Sequence, residues 1–417
     1  MKIFKFGGAS VKDADGVRNV FELLKTVGHQ DTLIVISAMG KTTNAMETLV
    51  DHYFNAPASL TQTLLGVKKQ HLDIVKALFE QEQGPVFDTV NTLFETLKNF
   101  LSHNKSTNYS FVYDQVVSYG ELLSTQIVAH YFAAQGLQNQ WLDARTCIKT
   151  DTYYRDANLD WETTTQLIQQ KIPQKELVIT QGFIGSDENN FTTTLGREGS
   201  DYSAAIFGYA LNAESVTIWK DVPGVLNADP RHFDNTTLLH QISYREAIEL
   251  AFYGASVIHP KTLQPLQRKE IPLFVKSFEN PTAPGTAVMK GKTLVPQTPC
   301  FILKREQVLL RLSSLDFSFI VEDNISAIFA LLHQYQMRVE LLQNSAISFS
   351  VCINNKYGRL EELVTALRAR FKVEVSEHVD LYTIRHFDRE AIHRIKNYDR
   401  PILLEQRTQE TAQFVLA

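Results

Sequence analysis

I-F-K-F-G-G, residues 3–8, decides how the rest of the chain is read. A short apolar run that ends in a diglycine is a strand meeting a tight turn. Val17, Val20, Phe21 and Leu24 follow at helical spacing, and residues 33–36 form a second apolar run. Strand, turn, helix and strand in that order open a parallel sheet covered by helices. Outward from there, residues 42–136 read as mostly helical, with long amphipathic stretches at 64–79 and 111–132. Strands are expected at 140–142, 176–180, 215–219 and 273–275, with helices beginning near Ser200, Tyr244 and Pro260 between the later ones.

Residues 280–298 are rich in Pro, Gly, Thr and Lys and read as a linker or a loosely packed hairpin. Beyond them the texture changes to a βαββαβ pattern: strand 308–312, helix 325–335, strands 338–342 and 346–353, helix 360–370, strand 371–375. The tail shows two more strand-like segments, 381–385 and 411–416, with too little between them for a second copy. The expected division is 1–288, a linker at 289–302, and 303–417.

At 417 residues the chain is too long for one ordinary core. Residues 301–417 hold 15 basic and 15 acidic residues, and the rest holds 26 and 31, so neither part offers the basic surface of a nucleic-acid binder. Cys147, Cys300 and Cys352 are scattered and form no C-x-x-C pair, which argues for a reducing compartment and against zinc or disulfides. The N-terminus begins a strand rather than a signal peptide, and no apolar run reaches membrane-spanning length. A cytoplasmic enzyme with no membrane partner is the expectation.

The densest chemical signal is T-T-L-G-R-E-G-S-D-Y-S-A-A, residues 193–205. Glycines followed by a small-residue helix start present backbone N–H groups to phosphate. A turn alone would need the glycines but not Arg197 and Asp201. Lys5, before Gly7, Gly8 and Ser10, places a mobile cation where the backbone can approach a phosphate closely. Lys220 and Asp221 follow a strand, with Arg231 soon after, and ligands gather at such strand ends; turns alone would explain these residues equally well. Lys261 and Thr262 lie in the first turn of a helix, where a cation opposes the helix dipole and an anion is favoured. Ser37 and Thr43 belong to a loop of small hydroxyls, suited to a polar substrate or to a helix cap. Glu121 lies within a long helix, where most carboxylates are solvated. There is no Walker A, G-x-G-x-x-G or H-E-x-x-H motif.

In this order, K-F-G-G-A-S, S-A-M, E-L-L-S-T, T-L-G-R-E-G-S-D-Y-S-A-A, D-V-P-G-V with D-P-R, and H-P-K-T closely resemble the aspartate kinases of the amino-acid kinase family. The βαββαβ pattern resembles an ACT domain, the regulatory unit of those enzymes. The resemblance implies a three-layer αβα domain with a mostly parallel sheet, followed by an ACT-like region whose second unit is truncated. It implies transfer of the ATP γ-phosphoryl group to the side-chain carboxylate of L-aspartate, the first step toward lysine, threonine and methionine. Lys5 would steady the γ-phosphate. Asp201 would organise the lysine and a Mg²⁺ carried mainly on ATP phosphates. Ser37, Thr43, Glu121, Arg197 and Ser200 would face the amino acid, with Arg197 on a carboxylate and Glu121 on the ammonium. Gly7, Gly8, Ser10, Lys220, Asp221, Arg231, Lys261 and Thr262 would frame ATP. A homodimer and an amino-acid effector of unspecified identity are also implied.

Ala9, Glu198 and Lys220 depart from the usual threonine, glycine and threonine. Two other readings stand beside this one: a kinase of another carboxylate such as N-acetylglutamate, and a non-catalytic amino-acid sensor. Glu121 speaks against the first, because an acylated amine carries no charge for it to meet. The intact Lys5, Arg197 and Asp201 speak against the second.

Overall fold

The computed structural model describes residues 1–80, 83–172, 175–255, 258–316 and 318–417. The chain divides into two compact units. The first holds residues 1–225, 238–248 and 257–295, and the second holds 226–237, 249–256 and 296–417.

The first unit runs β1 (Lys2–Phe6), α1 (Ala14–Val27), β2 (Thr32–Ile36), α2 (Thr42–Asn55), α3 (Pro57–Phe79), α4 (Pro85–His103), α5 (Tyr109–Val117), α6 (Tyr119–Ala134) and β3 (Gln140–Leu142). It continues with α7 (Trp161–Lys171), β4 (Leu177–Gln181), β5 (Ile184–Ser186), β6 (Thr192–Thr194), α8 (Gly199–Ala210) and β7 (Ser215–Lys220). Then come β8 (Gln241–Ser243), α9 (Tyr244–Tyr253), α10 (Pro260–Arg268), β9 (Leu273–Ser277), β10 (Thr286–Met289) and β11 (Leu294–Val295). The second half of α9 falls within the second unit.

Nine strands form one sheet in the order β11-β8-β10-β9-β7-β1-β2-β4-β3. From β9 to β3 every pairing is parallel. Antiparallel contacts enter at β10–β9 and β11–β8. β2 and β4 are buried at every position, as strands covered on both faces must be.

Strand alternation sorts the side chains into two faces. Phe4, Phe6, Ile34, Ile36, Leu177, Ile179 and Trp219 pack into one core with α1 to α6. Ile3 and Val216 point the other way, beneath Gly208 of α8 and Leu266 of α10. The three expected layers follow from this alternation. The same parity governs Lys5 and Lys220. Lys5 is in register with Ile218, two residues before Lys220, so both lysines share the α8 face at the strand ends.

Three expectations are corrected here. The helix expected at 111–132 is two helices, broken at Ser118. α6 is buried nearly all round rather than amphipathic, because it is enclosed within the helical layer. The supposedly loose stretch 280–298 supplies β10 and β11 to the sheet. The expected linker therefore includes β11 and the start of the next strand.

The second unit contains β12 (Cys300–Ser314), α11 (Glu322–Gln334), β13 (Arg338–Asn344), β14 (Ser348–Asn354), α12 (Leu360–Arg368), β15 (Phe371–Arg385), α13 (Arg389–Lys396), β16 (Ile402–Arg407) and β17 (Thr411–Leu416). They form one antiparallel sheet, β13-β14-β12-β15-β17-β16. β12 and β15 pair along their length, with register breaks between Lys304 and Leu309. One half of this long pair packs Leu310, Leu312 and Phe371 against α11 and α12. The other half packs Phe301, Tyr382 and Ile384 against Ala391 and Ile395 of α13. The tail therefore holds more than its expected two strands. α13 and β16 lie between them, and the first half of β12 completes that side of the sheet.

Candidate active site

The C-terminal ends of β7, β1, β2 and β4 are adjacent in the sheet and point the same way. Above them lies a cavity of about 310 Å³ lined by Lys5, Ser37, Thr43, Glu121, Phe183, Gly196, Glu198, Gly199, Ser200, Asp201 and Lys220. Such strand ends are where ligands bind in open α/β sheets.

Asp201 lies in the first turn of α8, where a carboxylate favours the helix dipole. Its Oδ1 is 2.7 Å from Lys5 Nζ, and its Oδ2 is 3.8 Å from Lys220 Nζ. The side chains of Lys5 and Asp201 are 11% and 4% exposed, so the pair is screened little by solvent. Two lysines beside one carboxylate bring cations to the strand ends, where a phosphate can be met.

Gly8 joins this end of β1 to the loop after β2. Its carbonyl accepts from Gly40 N–H at 3.0 Å. A Cβ on Gly8 would lie 2.8 Å from the carbonyl oxygens of Ala38 and Gly40, so only glycine permits the approach. Ser10 is buried, with its hydroxyl unpaired among the described residues.

Glu121 forms the opposite wall. It is 2% exposed, and its Oε1 accepts from Ala38 N–H at 3.3 Å. Its Oε2 is buried with no hydrogen-bond partner among the described residues. Burial pushes its pKa up to about 8, against the pull of the Ala38 N–H and Lys5. The usual solvated glutamate is thus replaced by a buried one with an unpaired oxygen, whose ionised form a cation in the cavity would favour.

Glu198 occupies the N-cap position of α8 with φ of 53°, and its side chain makes no capping bond. Its Oε2 is also buried without a partner among the described residues.

Other expected site residues lie apart from the lining. Arg197 is exposed. Asp221 is exposed in the turn after β7. Arg231 belongs to the second unit, and its guanidinium pairs with Asp229 of the same turn at 2.6 Å. Lys261 Nζ is held by the Asp156 carboxylate, and Thr262 is fully buried in α10. Gly7 lies beside Lys5, where a Cβ would be 3.2 Å from Nζ.

Phe183 is the cavity residue that sequence reasoning missed. It follows Gly182 directly after β4, and a glycine–aromatic pair at a parallel strand end was its available signal. Asp156 left no signal, because only the fold brings it to Lys261.

The Amino acid kinase family model matches residues 1–277. The lysine-sensitive aspartokinase 3 of Escherichia coli is 31% identical over 396 residues, covering 92% of this chain and 86% of that one. A bifunctional aspartokinase/homoserine dehydrogenase 2 of Arabidopsis thaliana is 29% identical over 88% of this chain, which spans 42% of its length. A crystal structure of E. coli aspartokinase III with aspartate and ADP matches with a TM-score of 0.81 at 28% identity, covering 100% of this chain and 96% of that one. The chain belongs to the amino acid kinase family and, within it, to the aspartokinases.

Proposed function

We propose that this chain transfers the γ-phosphoryl group of ATP to the side-chain carboxylate of L-aspartate, giving 4-phospho-L-aspartate, the first step toward lysine, threonine and methionine. One observation carries the reading: Lys5, Lys220 and Asp201 share a single cavity with the buried, unpaired carboxyl of Glu121. The first three suit a phosphoryl group and the last suits an ammonium. The E. coli aspartokinase III structure bound to aspartate and ADP supports this pairing of substrates.

The acceptor carboxylate is already ionised at neutral pH, so no general base is required. Positioning and charge neutralisation remain for the protein to supply. Lys5 meets the transferred group, and Asp201 holds Lys5 in place by the 2.7 Å ion pair. Ser37, Thr43 and Ser200 offer hydroxyls to the amino acid. Arg197, exposed to solvent, is the residue that would meet a substrate carboxylate. Gly7, Gly8 and Ser10 frame the phosphate turn, and Asp221, Lys261 and Thr262 belong to the nucleotide side. Lys261 then exchanges Asp156 for a phosphate.

No group of three or more His, Cys, Asp or Glu side chains able to hold a metal ion occurs among the described residues. One carboxylate plus phosphate oxygens is a normal magnesium arrangement, and Asp201 fits it. Mg²⁺ would neutralise charge on the phosphates.

Residues 1–288 are the catalytic domain in this reading, 289–302 the connection, and 303–417 an ACT-like regulatory region. The lysine sensitivity of the E. coli relative supports an amino-acid effector. Phe319, Val321, Leu342 and Ile347 are exposed in the second unit, which supports a homodimer formed through it. Cys147, Cys300 and Cys352, buried and scattered along the chain with no C-x-x-C pair, suit the cytoplasm.

Hydroxamate trapping of the acyl phosphate tests the activity. Aspartate with ATP gives hydroxamate and N-acetylglutamate does not; the reverse outcome refutes the reading. Lys5→Ala lowers kcat by roughly 10²–10³-fold, and unchanged turnover would remove Lys5 from the mechanism.

A further inference from the structure

Asp114 is fully buried on α5, outside the cavity and outside every role described above. It lies seven residues before Glu121, with only Ser118 separating its helix from α6. Three donors converge on its carboxylate. The backbone N–H of Thr194 donates at 2.8 Å, and the Thr194 hydroxyl donates at 2.8 Å. The backbone N–H of Arg155 donates at 3.0 Å. Among the described residues no cation forms an ion pair with Asp114. The Arg155 guanidinium instead lies over the rings of Tyr113 and Tyr109, at 4.4 Å and 5.6 Å from their centroids. Burial pushes the carboxyl up to about 6. A helix face that needed only packing would not bury an acid here.

What Asp114 holds is the base of the segment that carries Asp201. Thr194 ends β6, and its carbonyl accepts from Ala157 N–H at 2.9 Å. The next N–H, that of Leu195, donates to the carbonyl of cavity residue Phe183 at 2.9 Å. Gly196 then turns with φ of 77° against Arg155 and Asp156, and a Cβ there would lie 3.3 Å from the Arg155 carbonyl oxygen. Gly196, Glu198, Gly199, Ser200 and Asp201 line the cavity directly afterwards. One carboxylate thus ties together the strand end from which the loop departs and the turn on which the loop rests.

We infer that Asp114 is a positioning residue for phosphoryl transfer: it sets the segment bearing Asp201 in register with the helix pair bearing Glu121. The inference rests on the proposed aspartate kinase reaction. A misplacement of about 1 Å at a reacting centre costs on the order of 10²-fold in rate. The effect of losing Asp114 therefore falls on kcat, while the groups that touch each substrate remain.

Steady-state kinetics of the full chain and of Asp114→Asn, Asp114→Ala and Thr194→Val test this. Asp114→Ala lowers kcat by roughly 10–100-fold, with KM for aspartate and ATP nearly unchanged. Asp114→Asn restores most of kcat, because one amide oxygen can accept both N–H groups while the Thr194 hydroxyl turns to accept from the amide NH₂. Thr194→Val keeps the acid and removes one donor, and lowers kcat by several-fold (about one lost hydrogen bond). If Asp114→Ala does not fold, the other two variants decide. Wild-type kcat in Thr194→Val overturns the inference, as does wild-type kcat in folded Asp114→Ala, or an Asp114→Asn as impaired as the alanine variant. A wild-type chain that makes no acyl phosphate refutes the proposed function and this inference with it. An active wild type with indifferent variants refutes this inference alone.

Discussion

Glu121→Gln tests the electrostatics of the cavity without any substrate. The native carboxyl holds its proton until about pH 8, whereas its ordinary value is 4.5. Between those values the native state binds more protons than the unfolded state, so this group's contribution to stability falls as pH rises. The slope is about 1.4 kcal/mol per pH unit, and the whole cost is on the order of 4 kcal/mol by pH 8. Glutamine has no proton to lose, so its contribution is flat. Urea denaturation at several pH values should show the variant gaining on the wild type by about 1.4 kcal/mol per unit from about pH 5 to pH 8. A constant difference across that range refutes the burial argument for Glu121.

Aspartate adds a second reading of the same group. An ammonium beside Glu121 lowers its pKa, so binding at pH 7 releases up to about 0.9 proton per ligand. Calorimetry in two buffers of different ionisation enthalpy measures that release, and its absence would place the ammonium elsewhere. Glu121→Gln should also raise the KM for aspartate by at least roughly 10-fold, as loss of a charged hydrogen bond does.

Gly196→Ala places a methyl against the Asp156 carboxylate at a φ of 77°, so it should cost about 1–3 kcal/mol and most of the activity; a stable, fully active variant would contradict the packing described. Glu198→Gly relieves a left-handed φ of 53° and removes a negative charge from a cavity that receives anions. It should raise stability by about 1 kcal/mol and lower the KM for aspartate, and a raised KM would show that Glu198 contributes to binding. EDTA should abolish turnover and leave the melting temperature unchanged, because no multi-carboxylate metal site occurs among the described residues; a fall in melting temperature would reveal a structural ion.

Local pattern made much of the first unit legible. Apolar runs and helical spacing identify β1, α1 and β2, and the motifs at 5–10 and 193–205 carry their chemistry in contiguous residues. The strands of the second unit were visible only in part. The buried positions of β12 and β15 change from odd to even or the reverse where their register breaks, so each reads as separate short runs. α13 and β16 are short, and half of α13 is charged.

The sequence by itself determined which groups are available and marked Lys5 and Asp201 as candidates for phosphate chemistry, because glycine turns and strand ends are local features; at Lys220 it left a ligand site and an ordinary turn equally open. It also determined that Glu121 sits on a helix. Only the tertiary structure decided that Glu121 is buried and its pKa raised, since burial depends on Ala38 and the loop packed over it from another part of the chain. It likewise decided that Arg231 belongs to the second unit, that Asp156 holds Lys261, and that Asp114 ties Thr194 to Arg155. These are contacts between residues dozens of positions apart, and no spacing rule along the chain records them.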